Sequence, residues 1–514
     1  MDGNYLFICD RCQKEFTSPI KYANHLKRIK PCRKNSLNQK KEKQINREEY
    51  NKDEFTLYED YTKPIDELFN EFSESDINEN FMIHLCNIIQ TSKENKNDNA
   101  EVSTPYELLN KMCKRLNKNI LTELPKILDY SCGKGNIILA LFVTYYTFLK
   151  SQNEKKDNSD ICQIVLNNLY FADINELNVI ITRYKLLKLC EKLTKKSYDY
   201  HMNYWIGDSM KLNIEEVWKI NSFDVIFVNP PFENKSERNT TPHKLWIDFT
   251  VKTFKDWLKP NGLLYQISPS SFSSPSSKIL SLFREKNVKE IHFNQKEYFK
   301  DVSISIAWYI IQNNDELHET NINDKFSITI DDNVIYIPND ITNVISLSIH
   351  NKVMLNDSEK IKLEKDYVTC HNIRLKEEDS PLSKDKTETH IYPVFHTNKQ
   401  IWYSSIKQKF LEDKKVMFTR SGYTKPFYDN GNYGVTDLGY YISVSDDDEG
   451  ENLSHNLNNE VFTYIFKTAR WSGFGNEKVF SNIPKLPNKK YTNDELYDYF
   501  KLTIDEITYI KDNL

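Results

Sequence analysis

Residues 126–137, KILDYSCGKGNI, read as an apolar strand that ends on Asp129, turns through Gly133 and Gly135, and enters a helix running from Ile137 to Leu149. Glycine at those two positions lets backbone approach a ligand closely, and the acidic strand tip offers an acceptor to a cationic group. Such a turn also suits a phosphate loop or an ordinary βα connection. Further short apolar runs lie at 169–173, 202–207, 223–228, 262–268, 288–293 and 304–311, with helical patterns between them. This alternation predicts an α/β fold, a doubly wound and mostly parallel Rossmann-like sheet with helices on both faces. The last two strands lie close enough to form a hairpin-like reversed edge.

Two more strand ends carry carboxylates. Asp173 follows Leu169–Ala172 and heads a helical run, where sheets of this type hold a ribose diol; Asp208 follows Trp205-Ile206-Gly207 and could accept from an adenine amino group. Either alone is more often a helix cap or a solvated loop charge. A fourth strand, Phe223–Val228, delivers Asn229-Pro230-Pro231-Phe232 to the sheet rim. The two prolines lack N–H donors and lock φ, which holds the Asn229 side chain, a backbone carbonyl and the Phe232 ring in fixed relation. Two acceptors in a dry pocket, Asn229 Oδ1 and the Pro230 carbonyl, would draw a planar amino group toward tetrahedral geometry and stabilise the charge that develops as it attacks. A Pro-rich turn after a strand is the plain alternative.

In this order, the segments at Asp129–Ile137, Asp173, Asp208 and Asn229–Phe232 resemble motifs I to IV of the S-adenosylmethionine-dependent amino-methyltransferases. They most resemble the gamma-class N6-adenine DNA methyltransferases of type II restriction-modification systems. Val102-Ser103-Thr104-Pro105-Tyr106 is similar to motif X, which precedes motif I in that class. The resemblance implies S-adenosylmethionine as cofactor, held by Thr104, Asp129, Cys132, Gly133, Gly135, Asp173, Asp208 and Asn229. It implies catalysis by Asn229, Pro230, Pro231 and Phe232, with Phe232 and Phe299 (from a motif VIII-like Phe299–Ser303) stacking on an adenine flipped from double-stranded DNA. Tyr130 stands where the family usually has Pro. The resemblance also implies a target-recognition domain after motif VIII, and a cognate restriction endonuclease as a possible partner.

The N-terminus carries different chemistry. Phe7-x-Cys9-x2-Cys12-x3-Phe16-x5-Tyr22-x2-His25-x6-Cys32 has zinc-finger spacing with cysteine as the last ligand, and Ser18-Pro19 supplies an N-cap and first-turn proline. Cys9, Cys12, His25 and Cys32 are therefore expected to bind a structural Zn2+ tetrahedrally. In DNA-reading fingers Lys21 and Asn24 would face base edges; protein docking is the alternative role. This solitary finger resembles those of large cytoplasmic DNA virus proteins. The net charge of −5 averages over unlike parts, because residues 1–44 hold eleven Lys/Arg against four Asp/Glu. The remaining six cysteines are scattered as in a reducing compartment, and neither a signal peptide nor a run of about 18 apolar residues is evident. A cytoplasmic protein is expected, in a host cytoplasm or viral factory if viral, without a membrane partner.

The expected organisation is a finger over 1–34, a charged linker and helical segment over 35–100, a catalytic domain over 101–312, a β-rich recognition domain over 313–490 and a helical tail over 491–514. Ile65 to Ile89 has helical apolar spacing suited to covering the catalytic sheet. β-like runs at 326–330, 333–337 and 439–444 surround Arg420, Lys425 and Arg470, set among aromatics and glycines, which are the expected DNA contacts. An RNA base or a protein glutamine amide would fit the same clamp. A restriction-modification fusion also stays open, although residues 35–100 contain no clear P-D…E-x-K nuclease pattern. Zinc chelation is expected to unfold the finger, read as collapse of its amide NMR dispersion, while transfer to short DNA is largely kept. Loss of all transfer would contradict that division of roles.

Overall fold

In the computed structural model the described residues are 7–8, 15–16, 53–72, 77–89, 102–197, 199–233, 244–275, 277–300, 302, 304–354, 359–366, 380–397, 400–420, 422, 425–469 and 476–514. Cys9, Cys12, Lys21, Asn24, His25, Cys32 and Arg470 lie outside them. At the N-terminus, Phe7–Ile8 pairs antiparallel with Glu15–Phe16, with Phe7 opposite Phe16.

A nine-stranded sheet organises the chain: β1 (Ile127–Asp129), β2 (Leu169–Asp173), β3 (Asn203–Ile206), β4 (Phe223–Val228), β5 (Leu258–Pro269), β6 (Asn287–His292), β7 (Ile306–Gln312), β8 (Glu319–Ile322) and β9 (Phe326–Thr329). Their spatial order is β3-β2-β1-β4-β5-β7-β6-β8-β9. β1 through β5 are mutually parallel, and β7 runs antiparallel to both β5 and β6. Every residue of β1 and β2 is buried, the continuous apolar run expected of parallel strands covered on both faces. Helix Asn136–Gln152 is apolar nearly all round and correspondingly buried, whereas Glu176–Thr194 keeps Lys188, Glu191 and Lys192 toward its outer side. Helices Glu59–Glu71 and Glu79–Asn87 pack on this helical layer: Tyr184 Oη donates to Asp66 at 2.8 Å and Lys192 Nζ to the Phe72 carbonyl at 3.1 Å.

Three expectations change. The reversed strand is β7, yet it is not the edge, because β8 adds parallel to β6 and β9 adds antiparallel to β8. The buried Thr320 and Ile322 cover an edge of β6 that would otherwise expose Ile291, so the sheet passes the expected limit at 312. The short turn at Asn323 and Asp324, both with positive φ, had disguised the hairpin. Residues 333–337 alternate like a strand but form none: Arg284 occupies the Val334 carbonyl and the Ile337 N–H reaches the Ser273 carbonyl. Finally, among the described residues strand structure after the main sheet lies within 382–443, in a four-stranded and a three-stranded sheet followed by helices. Two short helices with capping boxes, Asn493–Tyr499 and Ile504–Asp512, close the chain. Among the described residues no helix is long and apolar enough to cross a membrane.

His350 joins these C-terminal parts. Fully buried, it lies 2.6 Å (Nδ1) from Tyr336 Oη and 2.7 Å (Nε2) from Thr468 Oγ1, and burial pushes its pKa down to about 3 from 6.5. A depressed folded value means that its contribution is complete above about pH 6.5 and is lost as the pH falls toward the folded value. Chemical-denaturation stability should therefore drop between about pH 7 and pH 4, less steeply in His350→Gln than in wild type. Equal slopes would contradict this role.

Candidate active site

Parallel strands joined by helical crossovers bring the carboxyl ends of β1, β2, β3 and β4 to one rim. A cavity of about 310 Å3 opens there, lined by Val102–Thr104, Tyr130–Lys134, Asn136, Asp173, Asp208 and Asn229–Phe232, among others. Thr104, Cys132, Gly133, Asp173, Asp208 and the four residues of the clamp, all expected from sequence, thus share one space.

The glycine loop is shaped from below. Gly133 and Gly135 adopt φ of +51° and +84°, and a Cβ on Gly135 would come within 2.6 Å of Thr182 Oγ1. Asp173 grips the loop from the neighbouring strand end: Gly133 N–H donates to its Oδ2 at 2.8 Å, Asn175 N–H to its Oδ1 at 2.8 Å and Asn178 Nδ2 to the same oxygen at 3.2 Å. Asp129 is fully buried; Ser131 N–H donates to Oδ1 at 3.1 Å, and Oδ2 has no partner. Burial raises its pKa well above the ordinary value, the Ser131 bond opposes this, and the charge of Asp173 raises it further. A carboxyl kept so dry is poised for a cation or donor to stabilise its charged form. Asp208 is half-buried at the tip of β3, with Met210 N–H donating to Oδ1 at 3.1 Å. Cys132 is a buried thiol whose pKa is raised by burial first and then by Asp173 and Asp129.

At the clamp, Asn229 Nδ2 donates to the Val102 carbonyl at 3.1 Å and to Thr104 Oγ1 at 3.0 Å. A backbone carbonyl can only accept, so the amide nitrogen faces this segment and Oδ1 points the other way. That oxygen is buried and has no partner among the described residues. Ser131 Oγ donates to the Asn229 carbonyl at 3.3 Å and so joins the clamp to the glycine loop. Pro230 and Phe232 are buried beside it. Tyr130 finds its place by stacking on Phe249, with ring centroids 4.9 Å apart and planes at 13°.

Other expected residues stay apart. Phe299 is buried in the core and does not line the cavity. It follows the turn Gln295–Glu297 and belongs to the main core cluster, whereas the resemblance to motif VIII had implied a stacking partner for the base. Asp129 and Gly135 lie beneath the cavity wall. Arg420, at the end of strand Lys414–Thr419, is half-buried and Lys425 exposed. Sequence reasoning missed Ser131, Asn136, Asn178 and Phe249. Asn178 was legible, since Asn175 caps the helix Glu176–Thr194 and a polar residue three positions on faces back toward the strand tip.

Residues 167–304 match the family model described as Eco57I restriction-modification methylase, a span that includes Asp173, Asp208 and the clamp and begins after the glycine loop. No curated protein sequence matches the chain. The Type IIL restriction-modification enzyme MmeI in complex with DNA superposes with a TM-score of 0.53 at 11% identity, over 81% of this chain and 71% of that one. The DrdV–DNA complex gives 0.49 at 11% identity, over 85% and 60%. A modification subunit of a type I restriction enzyme from Vibrio vulnificus YJ016 gives 0.34 at 14% identity, over 45% of this chain and 48% of that subunit, about half its length. The centre of this chain is thus similar to restriction-modification methylases, and with MmeI it shares a fold.

Proposed function

We propose that the chain is an S-adenosylmethionine-dependent, site-specific DNA methyltransferase acting on adenine N6. The observation that carries this reading is the Asn229 carboxamide, with its nitrogen pinned by two acceptors and its oxygen buried and unpaired. An unsatisfied buried acceptor costs about 1–3 kcal/mol and persists where a ligand is to complete it. A neutral planar amino group fits: Oδ1 and the Pro230 carbonyl would accept its two hydrogens, and Phe232 would stack on the ring.

The remaining residues fit the cofactor. Asp173 and Asp208 offer acceptors at adjacent strand tips, the left-handed Gly133 brings backbone to the cavity, and the buried Asp129 carboxyl, with one oxygen unpaired among the described residues, lies beneath that wall. When bound, S-adenosylmethionine would supply an electrophilic methyl carbon on a sulfonium. Asn229 and Pro230 would hold the attacking nitrogen and stabilise its growing positive charge, and Phe232 would fix the ring plane. A strong base is unnecessary because the proton leaves after that charge has developed. The raised thiol of Cys132 argues against covalent attack on the base and for direct transfer.

The adenine would leave the duplex to reach the cavity, at a few kcal/mol of unstacking. Arg420 and Lys425, with Arg470, are the proposed contacts to duplex DNA. The N-terminal Cys9, Cys12, His25 and Cys32 are proposed to bind zinc; the Phe7–Ile8 and Glu15–Phe16 hairpin is the element that brackets the first two ligands in such a finger.

The test is incubation of the full chain with labelled S-adenosylmethionine and DNA, RNA or protein. Label is expected on DNA adenine, and Asn229→Ala should abolish it while calorimetric binding of S-adenosylhomocysteine survives. Full activity in Asn229→Ala would overturn the reading.

A further inference from the structure

The segment Val102–Thr104 has no helix or strand of its own, yet it orients two carboxamides of the cavity wall. On one side, the Val102 carbonyl and Thr104 Oγ1 receive Asn229 Nδ2. On the other, Ser103 Oγ and the Thr104 carbonyl receive Asn136 Nδ2, each at 3.0 Å. Three consecutive residues thus supply all four acceptors, and Thr104 belongs to both sets. The two asparagines differ in what fixes their backbones. Asn229 follows a strand, and Asn136 is the first residue of the buried helix Asn136–Gln152, directly after the left-handed Gly135. Asn136 is itself 95% buried, and among the described residues its Oδ1 has no partner and its side-chain hydrogen bonds go to this segment.

We propose that Asn136 is a positioning residue for methyl transfer: anchored by its helix, it holds the Thr104 backbone and, through Thr104 Oγ1, sets the orientation of the Asn229 carboxamide. The segment Val102–Thr104 is then a strap that ties the glycine loop to the base clamp, and an error at Asn136 reaches the Asn229 carboxamide through two hydrogen bonds. Because the clamp acts as the nitrogen attacks, the loss falls on kcat. A direct cofactor contact would show instead as a raised cofactor KM with kcat kept. The inference rests on the methyltransferase reading.

The experiment is a double-mutant cycle in the full chain, with S-adenosylmethionine and duplex DNA that the wild type methylates. Asn136→Asp keeps the side-chain size and replaces the donor with an acceptor facing the Thr104 carbonyl; Thr104→Val removes the hydroxyl that holds Asn229. Asn136→Asp is expected to lower kcat about tenfold or more, with the cofactor KM within about threefold and the melting temperature little changed. In the Thr104→Val background the same change should lower kcat no more than about twofold, because the path it acts through is already cut. If Asn136→Asp does not fold, Asn136→Ser, which shortens the donor away from both acceptors without burying a charge, replaces it in the cycle. Costs that multiply, or a raised cofactor KM at unchanged kcat, would overturn the inference and leave the methyltransferase reading standing. A wild type that transfers nothing to DNA would sink that reading itself.

Discussion

The parallel pairing of β1 between β2 and β4 is the constraint from which the site follows. Asp129 sits opposite Phe171, and Leu128 opposite Ile226, so the chain leaves all three strands at nearly the same level. Side-to-side hydrogen bonds then lock the loops together. Cys132 N–H donates to the Ala172 carbonyl at 2.9 Å, Gly207 N–H to the Asp173 carbonyl at 3.0 Å, and Ser131 Oγ reaches the clamp. Residues separated by about a hundred positions become one wall because a shift of any strand by one residue would turn its whole side-chain set to the other face.

That wall is electrostatically unfinished, and this directs the chemistry. Asp129 and Asp173 lie in a dry environment, and behind the glycine loop Lys185 is fully buried, its ammonium donating to the Lys134 carbonyl at 3.3 Å. Burial lowers the Lys185 pKa to about 8, Cys86 opposes the shift and the charge of Lys134 adds to it. Groups held this far from water are fixed in direction before any ligand arrives, which favours stabilisation of developing charge over rearrangement. The clamp follows the same logic. Its nitrogen is satisfied by the strap at 102–104, and its oxygen has no donor among the described residues.

Much of this was legible in sequence, for physical reasons that also explain the rest. The strand at 223–228 and its NPPF terminus could be read because an apolar run buried on both faces, followed by two residues of fixed φ, has few other solutions. The start of β5 was not legible: Lys259-Pro260-Asn261-Gly262 has turn composition, but the strand begins at Leu258 and absorbs those residues in an irregular register against β4. Nor was β8, or the pairing of the run at 326–330 with it, where the alternation is short and the need to cover β6 is a tertiary fact. Phe299 lies in the core and outside the cavity lining, a placement that an aromatic beside a strand does not announce. The strap at 102–104 was anticipated only as a segment near the cofactor. Its hold on two asparagines 34 and 127 residues away from Val102 depends on hydrogen bonds that no local pattern encodes.

The central claim is that this site methylates adenine N6 in DNA at a defined sequence. Single-molecule sequencing of DNA from cells that express the full chain, alongside cells that express Asn229→Ala, tests it directly. The account predicts N6-methyladenine confined to one sequence context in the first sample and missing from the second. DNA without any modified base, or with the methyl group on cytosine, would contradict it.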